Sequence, residues 1–431
     1  MDTTNADTSD IQETLTQEQL DAMVELHARF LEGRLGGRRA VLKATDLSGL
    51  SLADKDCRQV EFLGCKMANM DLSDSNFQEA RLYACDLSNA NLNRASFVRA
   101  DLRGSKIESA SLEHTDLEKA DLRVGGIMKE GEYGEGDSVN FRGANLSGAK
   151  LTGSMATNAN FNDAIMTGVN IQGADLSNAD FEGADLSDAE IVGAKLAGAK
   201  LKAAILTGVD TNGVKDADLS DALTDENIGT SLKDLQSPLE SLIEKHKDWV
   251  ASAGAEGEQL DLSGYDMRQM NSLKMQQLTA VTAKDATFIG MNLYKVEMQS
   301  AVLDGSDFRR CDMEEADLRG TSFKGARLNH ASLAGANFDP LLFGQEGVGQ
   351  RFSPCSFEDA SMTYADFSGS KMRAANFKGA NLSHANFTDC DLREADFTGA
   401  NTNGTIFEGA QMEEASMERK PVFKLKAAEE E

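Results

Sequence analysis

Every fifth residue from Leu47 to Leu122 is large and apolar, a spacing that fits neither the 3.6-residue helix nor the two-residue strand. The run passes through Leu52, Cys57, Phe62, Met67, Leu72, Phe77 and Leu82 and ends at Leu112, Leu117 and Leu122. Only Cys57 departs from Leu, Ile, Phe or Met. Two residues before each large position lies a small one. From Ala80 to Ala120 that slot holds only Ala, Cys, Ser or Thr. The residue directly before the large one is often Asp or Asn, as at Asp71, Asp86, Asn91, Asp101, Asp116 and Asp121. A second block, Phe141 to Leu206, obeys the same rule.

A fixed short period means that each repeat contacts only its neighbours, the pattern of a solenoid. One large and one small side chain per five residues fill an interior, while Asp, Asn, Ser, Gly and Lys face out. Four such faces close a coil of twenty residues. Coils stacked at the strand spacing of ~4.8 Å satisfy each other's backbone groups.

Ala144 to Gly148 (Ala-Asn-Leu-Ser-Gly), Ala174 to Asn178 (Ala-Asp-Leu-Ser-Asn) and Ala375 to Gly379 (Ala-Asn-Phe-Lys-Gly) resemble the A(D/N)LXX motif of pentapeptide repeat proteins. The resemblance implies an all-β fold, a right-handed quadrilateral β-helix.

The pattern restarts at Leu262 and runs to Phe338, with one extra residue near Leu273, and a fourth block spans Phe357 to Met417. Ala100 to Gly104 (Ala-Asp-Leu-Arg-Gly) returns as Ala316 to Gly320, and His114 as His330, at one shared offset. Two tandem copies are expected, each opened by a capping α-helix. Leu20, Met23, Val24, His27, Phe30 and Leu31 form one apolar stripe. Leu239, Leu242, Ile243, His246, Trp249 and Val250 repeat its spacing. Thr16 with Gln19, and Ser237-Pro238 with Glu240, read as capping boxes, the second with proline at the first helical position. Such helices cover a solenoid end that is otherwise open to strand pairing. The expected organisation is a disordered segment 1–15, a first helix and solenoid 16–222, a linker and second helix 223–260, a second solenoid 261–418 and a charged tail 419–431.

Chemistry is sparse. Cys65, Cys85, Cys311, Cys355 and Cys390 occupy the small inward slot and Cys57 the large one, the places of small hydrophobes. No CxxC pair occurs, and six cysteines in 431 residues make no disulfide framework. His27 and His246 fall on apolar helix stripes, and His114, His330 and His384 at outward corners. None has a Ser or Asp partner placed for nucleophilic catalysis. The glycines keep the five-residue period instead of forming a phosphate loop. The reading is therefore not an enzyme, with no cofactor and no metal.

The two interruptions, 123–140 and 339–355, are the places for specificity, since loops on a rigid scaffold carry binding. Ile127, Met128, Tyr133, Leu342 and Phe343 are the expected partner-binding residues. Both interruptions separate large positions by nineteen residues, one short of a full coil. They read either as projecting loops or as segments folded back on a face.

Charge narrows the partner. Asp and Glu total 71 against 43 Lys and Arg, a net charge of -28. That field repels nucleic acid and anionic membrane surfaces and favours a basic or DNA-binding protein. No secretory leader and no long apolar run appear, so a cytoplasmic location is expected. The leading functional reading is an acidic, rigid scaffold that docks a protein through its faces and loops. The alternative, implied by the resemblance, is a DNA mimic that modulates DNA gyrase or topoisomerase IV. The partner's identity and the monomer-or-homodimer question stay open at this level.

Overall fold

The structure, a computed structural model, describes residues 13–129, 132–214, 217–270, 272–345 and 348–417. Within each pentapeptide the division of labour is visible. The large residue points inward: Leu52, Phe77, Leu146 and Phe357 are wholly buried. The Asp or Asn before it accepts the amide two residues on, as Asp71 Oδ1 does from Ser73 N at 3.1 Å and Asn145 Oδ1 from Ser147 N at 3.0 Å. Two residues after the large one the chain turns through positive φ, at Asn69 (59°), Asp74 (56°) and His114 (56°). Asp and Asn suit the first role and Asn, Asp and Gly the second, which explains the composition of the outside.

Most pentapeptides then bridge, in parallel, to the one twenty residues on: Asp46 to Lys66, Ser51 to Asp71, Asp56 to Asn76, Glu61 to Arg81. Leu52 N donates to Asp71 O at 2.8 Å, and Asp71 N to Leu50 O at 3.0 Å. Identical slots therefore stack. Phe141, Phe161 and Phe181 lie ring on ring with centroids 4.9 Å apart, the coil spacing itself.

The chain divides into two compact units, residues 1–227 and 228–431, with a separate apolar core in each. The first opens with a short strand β1 (Glu13–Thr14) and helix α1 (Gln17–Leu31). Thr16 caps α1 in the expected capping box with Gln19. Strands β2 (Val41–Lys43), β3 (Thr45–Asp46) and β4 (Glu61–Leu63) begin the coils. β2 pairs with β4, and β1 pairs in parallel with β3. Residues 13 and 14, expected to be disordered, are thus an added strand on the first coil. A two-residue segment has no periodicity by which to be recognised. At the far end the ladder shortens, Lys200 bridging Asp218 across a single 3-10 turn, Thr211–Gly213.

The second unit repeats this plan. Strand β7 (Thr230–Ser231) pairs in parallel with β8 (Tyr265–Asp266), and helix α2 (Leu239–Ala251) lies between them in sequence. The expected capping box is absent. Pro238 takes the N-cap position and no side chain caps the helix, because α2 starts one residue later than the Ser-Pro pattern suggests. The extra residue near Leu273 is real: Asp266 bridges Thr287, while Ser272 bridges Asn292 at the ordinary interval of twenty. The expected tail, 419–431, lies outside the described residues.

Candidate functional site

Both interruptions are β-hairpins. Strands β5 (Gly126–Lys129) and β6 (Glu132–Glu135) pair antiparallel in the first unit, and β9 (Leu341–Gln345) with β10 (Val348–Ser353) in the second. Around them the ladder continues without loss of register. Lys106 bridges Asn140 and Ser322 bridges Ser356, each thirty-four residues on. Fourteen residues have therefore been inserted into an otherwise ordinary corner in each unit. The nineteen-residue interval seen in sequence is one pentapeptide plus that insertion, not a coil lacking one residue.

The hairpin roots are fixed by glycines. Gly104 has φ of 69°, and a Cβ there would lie 3.2 Å from the Gly125 Cα. Gly320, its counterpart, has φ of 66°, and a Cβ would meet Leu341 Cδ1 at 3.1 Å and Ser353 O at 3.2 Å. Tyr83 secures the first root by donating its hydroxyl to Gly126 O at 2.5 Å, with Arg103 over its ring at 5.5 Å.

Ile127 and Met128 stand on β5 opposite Gly134 and Tyr133 on β6. Leu342 pairs with Phe352 and Phe343 with Arg351. Leu342 is 61% exposed and Phe352 51%, an apolar cross-strand pair in solvent. Sequence reasoning missed Phe352. The antiparallel register, invisible in a single segment, is what brings it beside Leu342.

All six cysteines are buried. Burial pushes the Cys57 and Cys355 thiols up to about 12 and Cys390 to about 11, which removes the thiolate needed for reactivity. His27 and His246 are buried and occupy matching places. Nδ1 of His27 accepts from Ala40 N at 3.1 Å, and Nδ1 of His246 from Leu260 N at 3.0 Å. The Nε2 of His27 then donates to Arg58 O, 2.8 Å away. Each ring joins its helix to the residue that leads into the first coil. Burial lowers both imidazole pKa values. Among the described residues no group of three His, Cys, Asp or Glu is placed to hold a metal ion, and no helix is long and apolar enough to cross a membrane.

Some exterior carboxylates pair with cations one coil away, and others with an arginine two residues on, as Asp391 does with Arg393. Lys195 reaches Asp175 at 3.2 Å, Lys200 reaches Asp180 at 3.1 Å, and Arg94 reaches Asp74 at 2.5 Å. Arg103 lies between Asp101 (2.8 Å) and Asp121 (3.5 Å).

Family models match more than half of the chain. "Pentapeptide repeats (8 copies)" matches residues 80–123, 137–173, 170–208, 277–314 and 311–339, and "Pentapeptide repeat region" matches residues 350–419. No curated protein matches the chain. Similar solved structures include QnrB1, a plasmid-mediated fluoroquinolone resistance protein, at 19% identity, 43% of this chain, 81% of that chain and a TM-score of 0.26. HetL, a pentapeptide repeat protein involved in heterocyst differentiation regulation from the cyanobacterium Nostoc, aligns at 21% identity over 73% of this chain and 91% of its own, with a TM-score of 0.17. Rfr23 from the cyanobacterium Cyanothece aligns at 27% identity over 28% of this chain and 88% of its own, with a TM-score of 0.19. The repeat architecture and the family models agree: the chain belongs to the pentapeptide repeat family.

Proposed function

We propose that this protein is a non-enzymatic interaction protein whose two hairpins, β5–β6 and β9–β10, are the recognition elements for a protein partner. Its frame is read as two tandem right-handed quadrilateral β-helices, each with a helix over its first coil. Bridges every five residues and the interval of twenty support that reading. One observation carries the functional claim. Each unit inserts the same number of residues, beside Gly104 and Gly320, and the second hairpin holds Leu342 and Phe352 out into solvent. Exposed apolar pairs on a stiff support mark contact sites, and the net charge of -28 favours a basic partner.

The test is affinity capture from the source cell extract with the intact protein and with a form lacking residues 124–137 and 340–353. A stable partner held by the first and lost by the second is the expected result. Equal capture by both forms would place binding on the coil faces and remove the hairpins from the account.

The gyrase or topoisomerase reading needs an uninterrupted column of unpaired carboxylates. The cross-coil ion pairs of Asp175, Asp180, Asp101 and Asp121 interrupt that column. A supercoiling assay discriminates: no inhibition and no protection of gyrase at micromolar protein is the result expected here.

A further inference from the structure

The two ends of the coil stacks differ in charge and exposure. At the N-terminal end of the first unit, residues 29–43 carry Arg29, Arg34, Arg38, Arg39 and Lys43 against one acid, Glu32, in a chain of net charge -28. Arg34, Arg38, Arg39 and Lys43 are exposed, and Arg38 and Lys43 make no ion pair among the described residues. Between them Leu35 is fully exposed, with Val41 46%, Phe30 39% and Leu26 37% exposed. Strand β2 pairs with β4 on one side, and its outer edge meets no strand among the described residues. The corresponding end of the second unit differs. Trp249, which matches the exposed Phe30, is only half-exposed.

At the C-terminal end of the second unit the last coil, residues 398–417, carries Glu408, Glu413 and Glu414 and no lysine or arginine. All three acids are exposed. Ile406 (48%) and Met417 (43%) are the exposed apolar groups beside them. Among the described residues the amides of Thr402, Phe407 and Met412 have no coil to donate to, whereas the matching amides of Leu382, Phe387 and Leu392 donate to the coil above.

We propose that the basic, apolar N-terminal end of the first unit docks on the acidic last coil of a second copy, head to tail. At the head, among the described residues, only the outer edge of β2 is open, since β1 pairs with β3 and Gln17 bonds Ser51, so charge and the exposed apolar groups carry the contact. Arginine and glutamate set the orientation, and Leu35 and Val41 meet Ile406 and Met417. Helix α1 and strand β1 cover part of the first coil, so the contact is partial and salt-sensitive. A head-to-tail contact is heterologous. It does not close on itself, and chains grow as concentration rises.

The test is sedimentation velocity of the full chain between about 1 and 100 µM, at low and at high salt. It uses a head variant (Leu35→Glu with Arg38→Glu) and a tail variant (Ile406→Lys with Glu413→Lys). All four positions are exposed, so thermal melts should match the parent. The parent should form dimers and longer species at low salt and dissociate at high salt. Each variant alone should be monomeric across the range. Their equimolar mixture should stop at a heterodimer, since one intact head meets one intact tail. A monomeric parent at the highest concentration overturns the proposal. So does undiminished assembly of either variant, or a mixture in which no heterodimer forms.

Discussion

At the residue scale, two histidines tie the helices to the coils. The donors Ala40 N–H and Leu260 N–H require a bare Nδ1, so protonation of either ring breaks the contact. Burial lowers both pKa values from the usual 6.5; at His27 the nearby Asp56 opposes the shift and Arg39 reinforces it. Below about 6.5 the unfolded chain therefore binds more protons than the folded one. The stabilisation is complete above that pH and is lost as pH falls towards the lowered folded values. Melting temperatures should drop between pH 7.5 and 5.5 and flatten in a His27→Gln, His246→Gln variant; an unchanged slope in the variant contradicts the assignment. The carboxylates act in a lower window. The Asp56 carboxyl is held down by the Arg58 guanidinium and the Asp391 carboxyl by that of Arg393. Their contribution is present above about 4 and declines as the pH falls further. Inside, the Phe ladder sets the cost of substitution. Phe161→Ala removes the middle of a three-ring stack and should cost about 3–5 kcal/mol in denaturant melts.

Elements are where sequence and structure part company. The coils were legible because each pentapeptide carries its own instructions: a small and a large inward group, an Asp or Asn that accepts a backbone amide, and a residue at positive φ. Helix α1 was legible down to Thr16 and Gln19. The start of α2 was not, since Ser237 and Pro238 fit two adjacent registers equally well and packing chose between them. The hairpins were the larger miss. Leu122 and Phe141 mark the ends of the interruption, but nothing in a single strand tells that Leu342 faces Phe352. Likewise β1 takes its form from Thr45 and Asp46, more than thirty residues downstream. One consequence is quantitative. Removing residues 124–137 joins Arg123 to Ser138 and restores the interval of five between Leu122 and Phe141; removing 340–353 does the same for Phe338 and Phe357. Both deletions should fold with stability within about 1 kcal/mol of the parent, as read by thermal melts. Gly104→Val and Gly320→Val act differently. They crowd the hairpin roots in a left-handed conformation, costing ~1–2 kcal/mol, and should speed amide exchange in the hairpins while the coils stay protected.

For the molecule as a whole, the two units each possess a core, an opening helix and a hairpin. Fragments 1–227 and 228–431 should therefore each melt cooperatively when expressed alone; a fragment that is unfolded by circular dichroism counts against that independence. The units are not copies in every respect. His27 accepts from Ala40, two residues before Leu42, and sixteen pentapeptide steps lead from Leu42 to the hairpin at Leu122. His246 accepts from Leu260, two before Leu262, and fifteen steps lead to Phe338. Relative to its own helix, each hairpin thus leaves at a different corner, so the two proposed recognition hairpins are presented differently. The most direct test of this account is hydrogen–deuterium exchange of the full chain, free and with its captured partner. Protection gained at 126–135 and 341–353, with the coils unchanged, is the predicted result. Protection confined to coil faces, with both hairpins exchanging as in the free protein, contradicts it.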